Sequence, residues 1–477
     1  MKISFHGAAR CVTGSKHLLT LINDTNILLD CGMFQGMGAE TDDLNASFGF
    51  DASTINYLIL SHAHIDHSGL VPKLVKEGFT GKIFCTTATA ALSEVLLNDS
   101  AEIQTYELDY VNRKRVDNGK LPIEPLYTPE HVAQAMQLFN PCSFNEWIAI
   151  EEGIEMMFTH TGHLIGSAAV HLKIFEDGKE TRLTFSGDVG RYRNTLLIPP
   201  AEFPQADYII LESTYGDKQH EMVFNTIDTI AKWIKKICVE KQGKLIIPAF
   251  SVGRTQEVLY ALNQLSLENR LPAINYFVDS PMSIKATEII KSYTDEFNDR
   301  LQQVLKIDDD PFSFPGLKYV ETVEDSRQLA KYKEPCVIIS ASGTADAGRV
   351  RHHIASCVEN ENCAVLLVGY CENNSLGGQL VSGSNSIELF GNVLKVSAEV
   401  GQLKSMSGHG DYDDLLKFVS CQDTVLVKKI FLVHGEYAVQ QQLAAKLERR
   451  GFNTVEMPGM HYEVELQNEP EADTKRA

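Results

Sequence analysis

Four residues able to bind a metal ion crowd into six positions of the segment Ser61-His62-Ala63-His64-Ile65-Asp66-His67. The strand-like run Tyr57 to Leu60 leads into them and a helical pattern follows. In an extended segment His62 and His64 project to one side, as two imidazoles gripping one cation must, while Asp66 and His67 turn back toward a second. A polar surface loop is the alternative, but such a loop would gain nothing from packing three imidazoles and a carboxylate together. Further residues of ligand type arrive singly, each just past an apolar run. His163 follows Met156 to Thr159, Asp188 follows Arg182 to Phe185, and His434 follows Lys429 to Leu432. Any one of these alone reads as a hydrogen-bonded turn residue; alongside His62 to His67 they suggest a dinuclear site. The remaining histidines, among them His6, His17, His171 and His353, read as surface or satisfied core residues.

Ligands so far apart in sequence can meet only at the ends of strands. Leu18 to Leu21, Asn26 to Asp30, Tyr57 to Ser61, Lys82 to Cys85, Met156 to Thr159, Ala168 to Phe175 and Arg182 to Ser186 are apolar runs bounded by turn signals and predict strands. Helical periodicity marks Leu70 to Glu77, Thr89 to Arg113, and the stretch after Thr128-Pro129-Glu130, where an N-cap precedes proline at the first helical position. From Tyr208 strands and helices alternate, the mark of parallel βαβ units. Asp207 to Leu211, Lys244 to Ile247, Ile274 to Val278, Pro335 to Ser340 and Ala364 to Val368 are the strands expected there, with helices at Phe224 to Glu240, Thr255 to Leu267 and Ile284 to Leu301. A strand at Val425 to Val433 and a helix at Tyr437 to Arg450 then close the chain. Because His434 must join His62, the middle region reads as an insertion. The expected organisation is a first domain over 1–208, an inserted domain over 209–394, the return of the first domain over 395–466, and a polar tail over 467–477.

At 477 residues the chain has room for two or three domains, and 44% hydrophobic with 22% charged residues excludes a disordered or fibrous protein. No apolar stretch reaches a membrane span, and Lys2, His6 and Arg10 stand where a signal peptide would be apolar. Ten scattered cysteines without a CxxC pair read as reduced thiols. A cytoplasmic location is therefore expected. The formal charge of −20 opposes long-range attraction of a polyanion, so nucleic-acid binding would need a local basic patch or bound cations.

The HxHxDH stretch, with Asp30 in Leu29-Asp30-Cys31-Gly32, His163 and Asp188, resembles the metallo-β-lactamase superfamily, which implies an α/β fold: an αββα sandwich with a two-metal site at one sheet edge. Glu212 in Leu211-Glu212-Ser213-Thr214-Tyr215-Gly216, then Pro248 to Arg254, Asp279-Ser280-Pro281-Met282, Gly408-His409 and Leu432 to Glu436 resemble the successive motifs of the β-CASP nucleases. That group carries a parallel-sheet β-CASP domain inserted in the sandwich and includes the pre-mRNA 3′-end processing endonuclease and its prokaryotic relatives. The resemblance implies one metal on His62, His64, His163 and Asp188. A second would lie on Asp66, His67, His434 and a shared Asp188, with Asp30 behind the ligands fixing their loops. Asp66, His409 and Glu212 are expected to serve the reaction itself, His409 as general acid and Glu212 as the carboxylate that orients it.

Five imidazoles and two carboxylates suit zinc, with manganese as the alternative. Two ions about 3.5 to 4 Å apart can share a hydroxide and clamp both oxygens of an in-line displacement, which fits phosphodiester hydrolysis. A histidine at position 409 resembles the RNA-directed members, so single-stranded RNA is the expected substrate, with a homodimer left open. Loops after parallel strands converge on one edge, and those of the inserted domain offer Ser251, Arg254, Ser280, Ser342, Gly343 and Arg349 as phosphate or RNA contacts, with Arg351 and Gly377-Gly378 as further candidates. RNA would enter between the metal edge of one domain and this loop edge of the other. The competing readings are a hydrolase of a small ester or thioester, which would not need the large insertion, and a non-catalytic RNA-processing subunit, which would show eroded ligands.

Overall fold

Alternating burial along the strand-like runs builds two sheets that share one core. In the computed structural model, which describes residues 1–220, 226–369, 371 and 374–466, the strands in chain order are β1 (Lys2–Gly7), β2 (Lys16–Thr20), β3 (Asn26–Leu29), β4 (Tyr57–Ile59), β5 (Lys82–Thr86), β6 (Phe139–Cys142), β7 (Ile148–Glu151), β8 (Ile154–His160), β9 (Ala168–Glu176), β10 (Lys179–Phe185), β11 (Tyr208–Glu212), β12 (Lys244–Pro248), β13 (Asn275–Asp279), β14 (Leu317–Tyr319), β15 (Cys336–Ser340), β16 (Ala364–Leu367), β17 (Ser386–Leu389), β18 (Asn392–Lys395), β19 (Glu399–Gln402), β20 (Lys429–Val433), β21 (Val455–Glu456) and β22 (Tyr462–Glu465). The chain divides into one unit of Met1–Arg191, Pro200–Gln219 and His409–Ala477 and a second of Tyr192–Pro199 and His220–Gly408.

The first unit holds two seven-stranded sheets, ordered β22-β1-β2-β3-β4-β5-β6 and β21-β20-β11-β10-β9-β8-β7. Every second residue of β9 (Ala168, Val170, Leu172 and Ile174) enters a core that also takes Ile3, Phe5, Ile27 and Leu29 from the first sheet and Phe158, Phe185 and Phe431 from the second. The opposite face of the first sheet packs Leu28, Leu58 and Ile83 against Leu70, Leu74, Leu97 and Val132 of the covering helices. Beside β20, the helix Tyr437–Arg449 buries Leu443 and Leu447, and its Gln440 donates to the Leu432 carbonyl at 3.2 Å. Helix, sheet, sheet, helix is therefore the layer order.

The second unit is a six-stranded sheet ordered β14-β13-β15-β12-β16-β19, with every pair parallel, plus a β17-β18 hairpin. Its helices bury Ile354, Leu376 and Leu380 against Ile246, Ile338, Val365 and Leu367.

Two expected boundaries are corrected. The inserted domain is expected to open at residue 209, but β11 lies inside the second sheet of the first unit, parallel to both β10 and β20. All five of its residues are buried, as a strand covered on both faces requires. Residues from 395 were assigned to the returning first domain, whereas β19 pairs with β16 in the second unit and the chain crosses back only at His409. The helix expected over Thr89 to Arg113 runs from Thr87 to Asp117, capped by the Thr86 side chain. The first residues of the expected helix Phe224 to Glu240 and the tail 467–477 lie outside the described residues. Among the described residues no helix is long and apolar enough to cross a membrane.

Candidate metal centre

The loop Ser61 to Ser68 is fixed from three sides before any side chain reaches a cation. Ser15 N donates to the Asp66 carbonyl at 2.8 Å, Cys31 N to the His67 carbonyl at 2.8 Å and Met33 N to the Ile65 carbonyl at 2.9 Å. Gly32 permits that approach, since a Cβ there would stand 1.7 Å from the Asp66 oxygen. His64 caps the short helix Ile65–Ser68, whose first turn carries Asp66 and His67. His163 sits beyond β8 in a turn closed by Ser167 Oγ, which accepts from the backbone N–H of His163 and Leu164, both at 3.1 Å. Asp188 follows β10 through Gly187, whose φ is +53°. His434 follows β20 at φ +51°, with its N–H given to the Ala8 carbonyl at 2.7 Å.

These elements bring all seven expected ligands together. His62 Nε2 and His163 Nε2 each lie 3.1 Å from His64 Nδ1 and 3.4 Å from Asp188 Oδ2. Close by, His67 Nε2 lies 3.2 Å from His434 Nε2, 3.2 Å from Asp188 Oδ1 and 3.9 Å from Asp66 Oδ2, and His434 Nε2 lies 3.4 Å from Asp66 Oδ2. Two of the three groups that form match the expected ligand sets, His62 with His64, His163 and Asp188, and Asp66 with His67 and His434; the third sets His409 beside Asp188 and His434. Asp188 reaches both ligand sets, one oxygen to each.

The residues fit divalent cations. Tetrahedral coordination with nitrogen and oxygen ligands near 2.0 to 2.1 Å gives ligand-to-ligand edges of about 3.3 Å, and the contacts above run from 3.1 to 3.4 Å in the first group. Asp188 Oδ1 is buried and faces His67 Nε2 at 3.2 Å, so once the His67 proton is displaced the carboxylate needs a cation in its place. Burial holds His62 well below the usual imidazole range, helped by His67 and opposed by Asp188, and it brings His64 down to about 4 against the pull of Asp66 and Asp188. Both are therefore neutral, as ligands must be. For His67 burial works the same way, but Asp188, Asp66 and Asp30 overcome it and hold this imidazole well above its ordinary range. Cation binding would have to displace that proton.

Asp30 is fully buried behind His67. Its Oδ2 accepts from His67 Nδ1 at 2.6 Å and from Ser61 Oγ at 2.9 Å, and its Oδ1 accepts from Ser61 N at 2.7 Å. The hydrogen bond to Nδ1 leaves Nε2 of His67 facing the cluster. Glu212 is equally buried. Oε1 accepts from Val189 N at 2.9 Å and pairs with His409 Nδ1 at 3.0 Å, while Oε2 accepts from Thr214 N at 3.0 Å. Burial would depress His409, but Glu212 and then Asp188 outweigh it and raise this imidazole to about 9.

Three supporting residues escaped the sequence reading. Thr214 Oγ1 lies 2.9 Å from His434 Nδ1. Ser61 Oγ lies 3.0 Å from His62 Nδ1. Lys16, fully buried and lowered to about 8 by desolvation, donates to the carbonyls of Gly14 at 2.9 Å and Gly32 at 2.7 Å, tying together the loops that carry Ser15 and Asp30. Lys16 opens β2 beside His17, ahead of the apolar run Leu18 to Leu21, so nothing in the sequence pattern marked it.

The expected RNA contacts in the second unit fare unevenly. Ser251 and Ser280 follow β12 and β13 with hydroxyls 3.3 Å apart, and Ser342 and Gly343 follow β15. Arg254 is corrected: it is buried, pairs with Glu257 and donates to the Met406 carbonyl. Arg349 is corrected too, because its guanidinium donates to Asp279 at 2.7 Å and to the carbonyls of Val320 and Glu321. Both charges are spent on internal partners. Gly377 and Gly378 lie in the first turn of the helix Leu376–Val381 with their N–H groups already bonded, to the Thr344 carbonyl and Ser375 Oγ.

A sandwich of two sheets carrying histidine and aspartate ligands at strand ends defines a metallo-β-lactamase fold, and sequence comparison agrees. The metallo-beta-lactamase superfamily matches residues 14–224, the Beta-Casp domain 255–380, and the Zn-dependent metallo-hydrolase RNA specificity domain 393–458. The chain belongs to the β-CASP group of the metallo-β-lactamase superfamily, and membership implies divalent metal ions. Among its relatives, ribonuclease TTHA0252 of Thermus thermophilus is 33% identical over 451 residues, spanning 94% of this chain and 97% of that one. Transcription termination factor FttA of Methanosarcina mazei is 28% identical over 91% of this chain and 68% of its own length, and an RNase J-like protein of Methanocaldococcus jannaschii is 27% identical over 91% and 92%.

Proposed function

We propose that this chain is a metal-dependent ribonuclease that hydrolyses phosphodiester bonds of single-stranded RNA, with zinc as its resident ion. The observation that carries this reading is the pair of ligand groups joined through Asp188, with His409 held beside them by Glu212. His62, His64, His163 and Asp188 would hold one ion, and Asp66, His67, His434 and Asp188 the other. Five imidazoles favour zinc over manganese. A pair of such ions supplies a water of lowered pKa and a clamp for the two oxygens of an in-line displacement. Asp30 keeps the His67 proton on Nδ1. Glu212 accepts from His409 Nδ1 and keeps that ring charged near neutral pH, so that its other nitrogen can deliver a proton to the departing oxygen. The nearly full-length likeness to a protein named a ribonuclease, and the match to a domain described by RNA specificity, support RNA as substrate. Ten free thiols fit a reducing compartment, and we place the protein in the cytoplasm.

A time course on 5′-labelled single-stranded RNA and DNA, with and without chelator, tests the assignment. RNA should be cleaved faster than DNA, and chelator should stop the reaction. His64→Ala should abolish hydrolysis and lower metal content together. His409→Ala should slow turnover by about 10²- to 10⁴-fold with metal retained. Cleavage of a small thioester without cleavage of RNA would overturn the reading, and equal loss of metal in both variants would reject the role of His409.

A further inference from the structure

Two histidines outside the metal centre also meet nitrogen to nitrogen. His6 on β1 is buried and His461, just ahead of β22, is exposed, yet their Nδ1 atoms lie 3.1 Å apart across 455 positions of sequence. His64 keeps the same 3.1 Å from His62 and from His163 inside the metal centre, close to the ligand edge of about 3.3 Å around a tetrahedral ion. Ser4 Oγ stands 2.9 Å from His6 Nε2. A proton on Nε2, given to that hydroxyl, leaves the Nδ1 lone pair for a cation, which is how a ligand imidazole is usually oriented. Burial, then His461 and Lys16, bring His6 down to about 4 against the pull of Glu463, so the ring is neutral at pH 7, as a ligand must be. Gly49 flanks both rings at φ +80°. A Cβ there would stand 2.8 and 2.9 Å from the two Nδ1 atoms, so a larger residue would fill the space beside them.

A carboxylate completes the set. Ser4 and His6 project to one side of β1, and Glu463, paired with Ser4, projects to the same side. Its salt bridge to Lys2, at 3.1 Å, joins two exposed side chains, so little opposes its turning toward the imidazoles. Two imidazoles and a carboxylate at a solvent-facing edge, with a fourth position for water, suit zinc. We propose that His6, His461 and Glu463 hold a zinc ion apart from the metal centre. The ion has a task there. β22 is a four-residue strand at the end of its sheet, exposed at three of its residues and paired, among the described strands, with β1 alone. An edge strand with so little burial opens readily. Ligands from both sides of the seam pin it to β1.

Equilibrium dialysis of the full-length chain against zinc buffered at about 10 µM, where a site of micromolar affinity fills, followed by elemental analysis, tests this. Wild type should retain one more zinc per chain than His461→Ala, and Glu463→Gln should bind that ion about tenfold more weakly. His64→Ala should lose zinc from the metal centre yet keep the ion that His461→Ala loses, so the two sites fail separately. RNA hydrolysis by His461→Ala should match wild type, which separates a lost ion from a lost fold. Zinc should slow amide hydrogen exchange in residues 462–465 of wild type but not of His461→Ala, a response that a plain hydrogen bond between the two rings would not give. Equal zinc content in wild type and His461→Ala overturns the proposal. So does an extra ion that leaves exchange of β22 unchanged.

Discussion

Asp30→Asn isolates one negative charge in the metal centre. Asp30 has φ +59°, a left-handed conformation that asparagine tolerates at least as well, so the backbone is not perturbed. One of the two oxygens becomes an NH₂ group, and neither placement is harmless. On the Oδ1 side it meets Ser61 N–H, which now stands 2.7 Å away, leaving two buried donors face to face. On the Oδ2 side it meets His67 Nδ1 at 2.6 Å and forces that nitrogen to accept. The proton of His67 then moves to Nε2, the atom that faces His434 and Asp188, and an Nε2–H cannot bind a cation. The first placement costs about 1 to 3 kcal/mol for an unsatisfied buried donor; the second removes a ligand. Loss of such a supporting carboxylate lowers metal affinity about 10- to 100-fold, equivalent to about 1.4 to 2.7 kcal/mol. Competition with a chromophoric chelator, following release of each of two ions, should show one of them bound that much more weakly while the other is nearly unchanged. Ser61→Ala should be milder, since the Ser61 N–H still reaches Asp30. Wild-type affinity for both ions in the asparagine variant, or joint loss of both ions and the fold, would refute the reasoning.

Two further outcomes concern stability. Burial lowers His171 to about 3, and its ring nitrogens meet Thr159 Oγ1 at 2.8 Å and Thr184 Oγ1 at 2.9 Å, so the folded protein keeps it neutral. Below the unfolded pKa near 6.5 only the unfolded chain takes up the proton, so this residue removes about 1.4 kcal/mol of stability per pH unit between pH 6.5 and 3. Urea unfolding of His171→Gln at pH 7, 6, 5 and 4 should show a shallower acid loss than wild type, and equal slopes would count against it. Gly187→Ala combines φ +53° with a Cβ 2.5 Å from that of Ser61. Crowding of that kind costs about 1 to 3 kcal/mol and shifts both Ser61 and the neighbouring Asp188. A lower melting temperature and weaker metal binding should therefore appear together.

What was legible in the sequence divides by physical type. His62, His64, Asp66 and His67 announce themselves because a cation needs uncommon side chains at short, fixed spacing, and no hydrophobic pattern produces that arrangement. His163, Asp188 and His434 were legible by position, each one step past an apolar run that had to be a strand. The groups that steer these ligands were hidden, since Ser61, Thr214 and Ser167 are ordinary turn residues whose partners lie elsewhere in the chain. Asp30 was found through its motif, but its bond to His67 follows only from the register of β3 beside β4. The boundary at β11 was misplaced for a related reason: a run buried on both faces looks the same in either parallel sheet, and only its pairing with β10 and β20 assigns it.

The arginines mark a different limit. A guanidinium in a loop after a parallel strand looks available to phosphate, but its charge must be balanced wherever it is buried. For Arg254 the balance was visible, because Glu257 lies three residues on in the same helix and pairs with it. For Arg349 it was not, because Asp279 arrives from β13, seventy residues earlier, and also receives His353 Nε2 at 2.6 Å. Asp279 is fully buried and held below the usual carboxylate range: burial opposes ionisation, and the bonds from His353, Ser326 and Arg349 overcome it. That carboxylate ties the loop after β15 to the end of β13, so Arg349 holds the shape of the loop edge, where Ser342 is half-buried and Gly343 buried. In a chain of charge −20, positive side chains near a proposed RNA path are therefore poor evidence of contact until their internal partners are known.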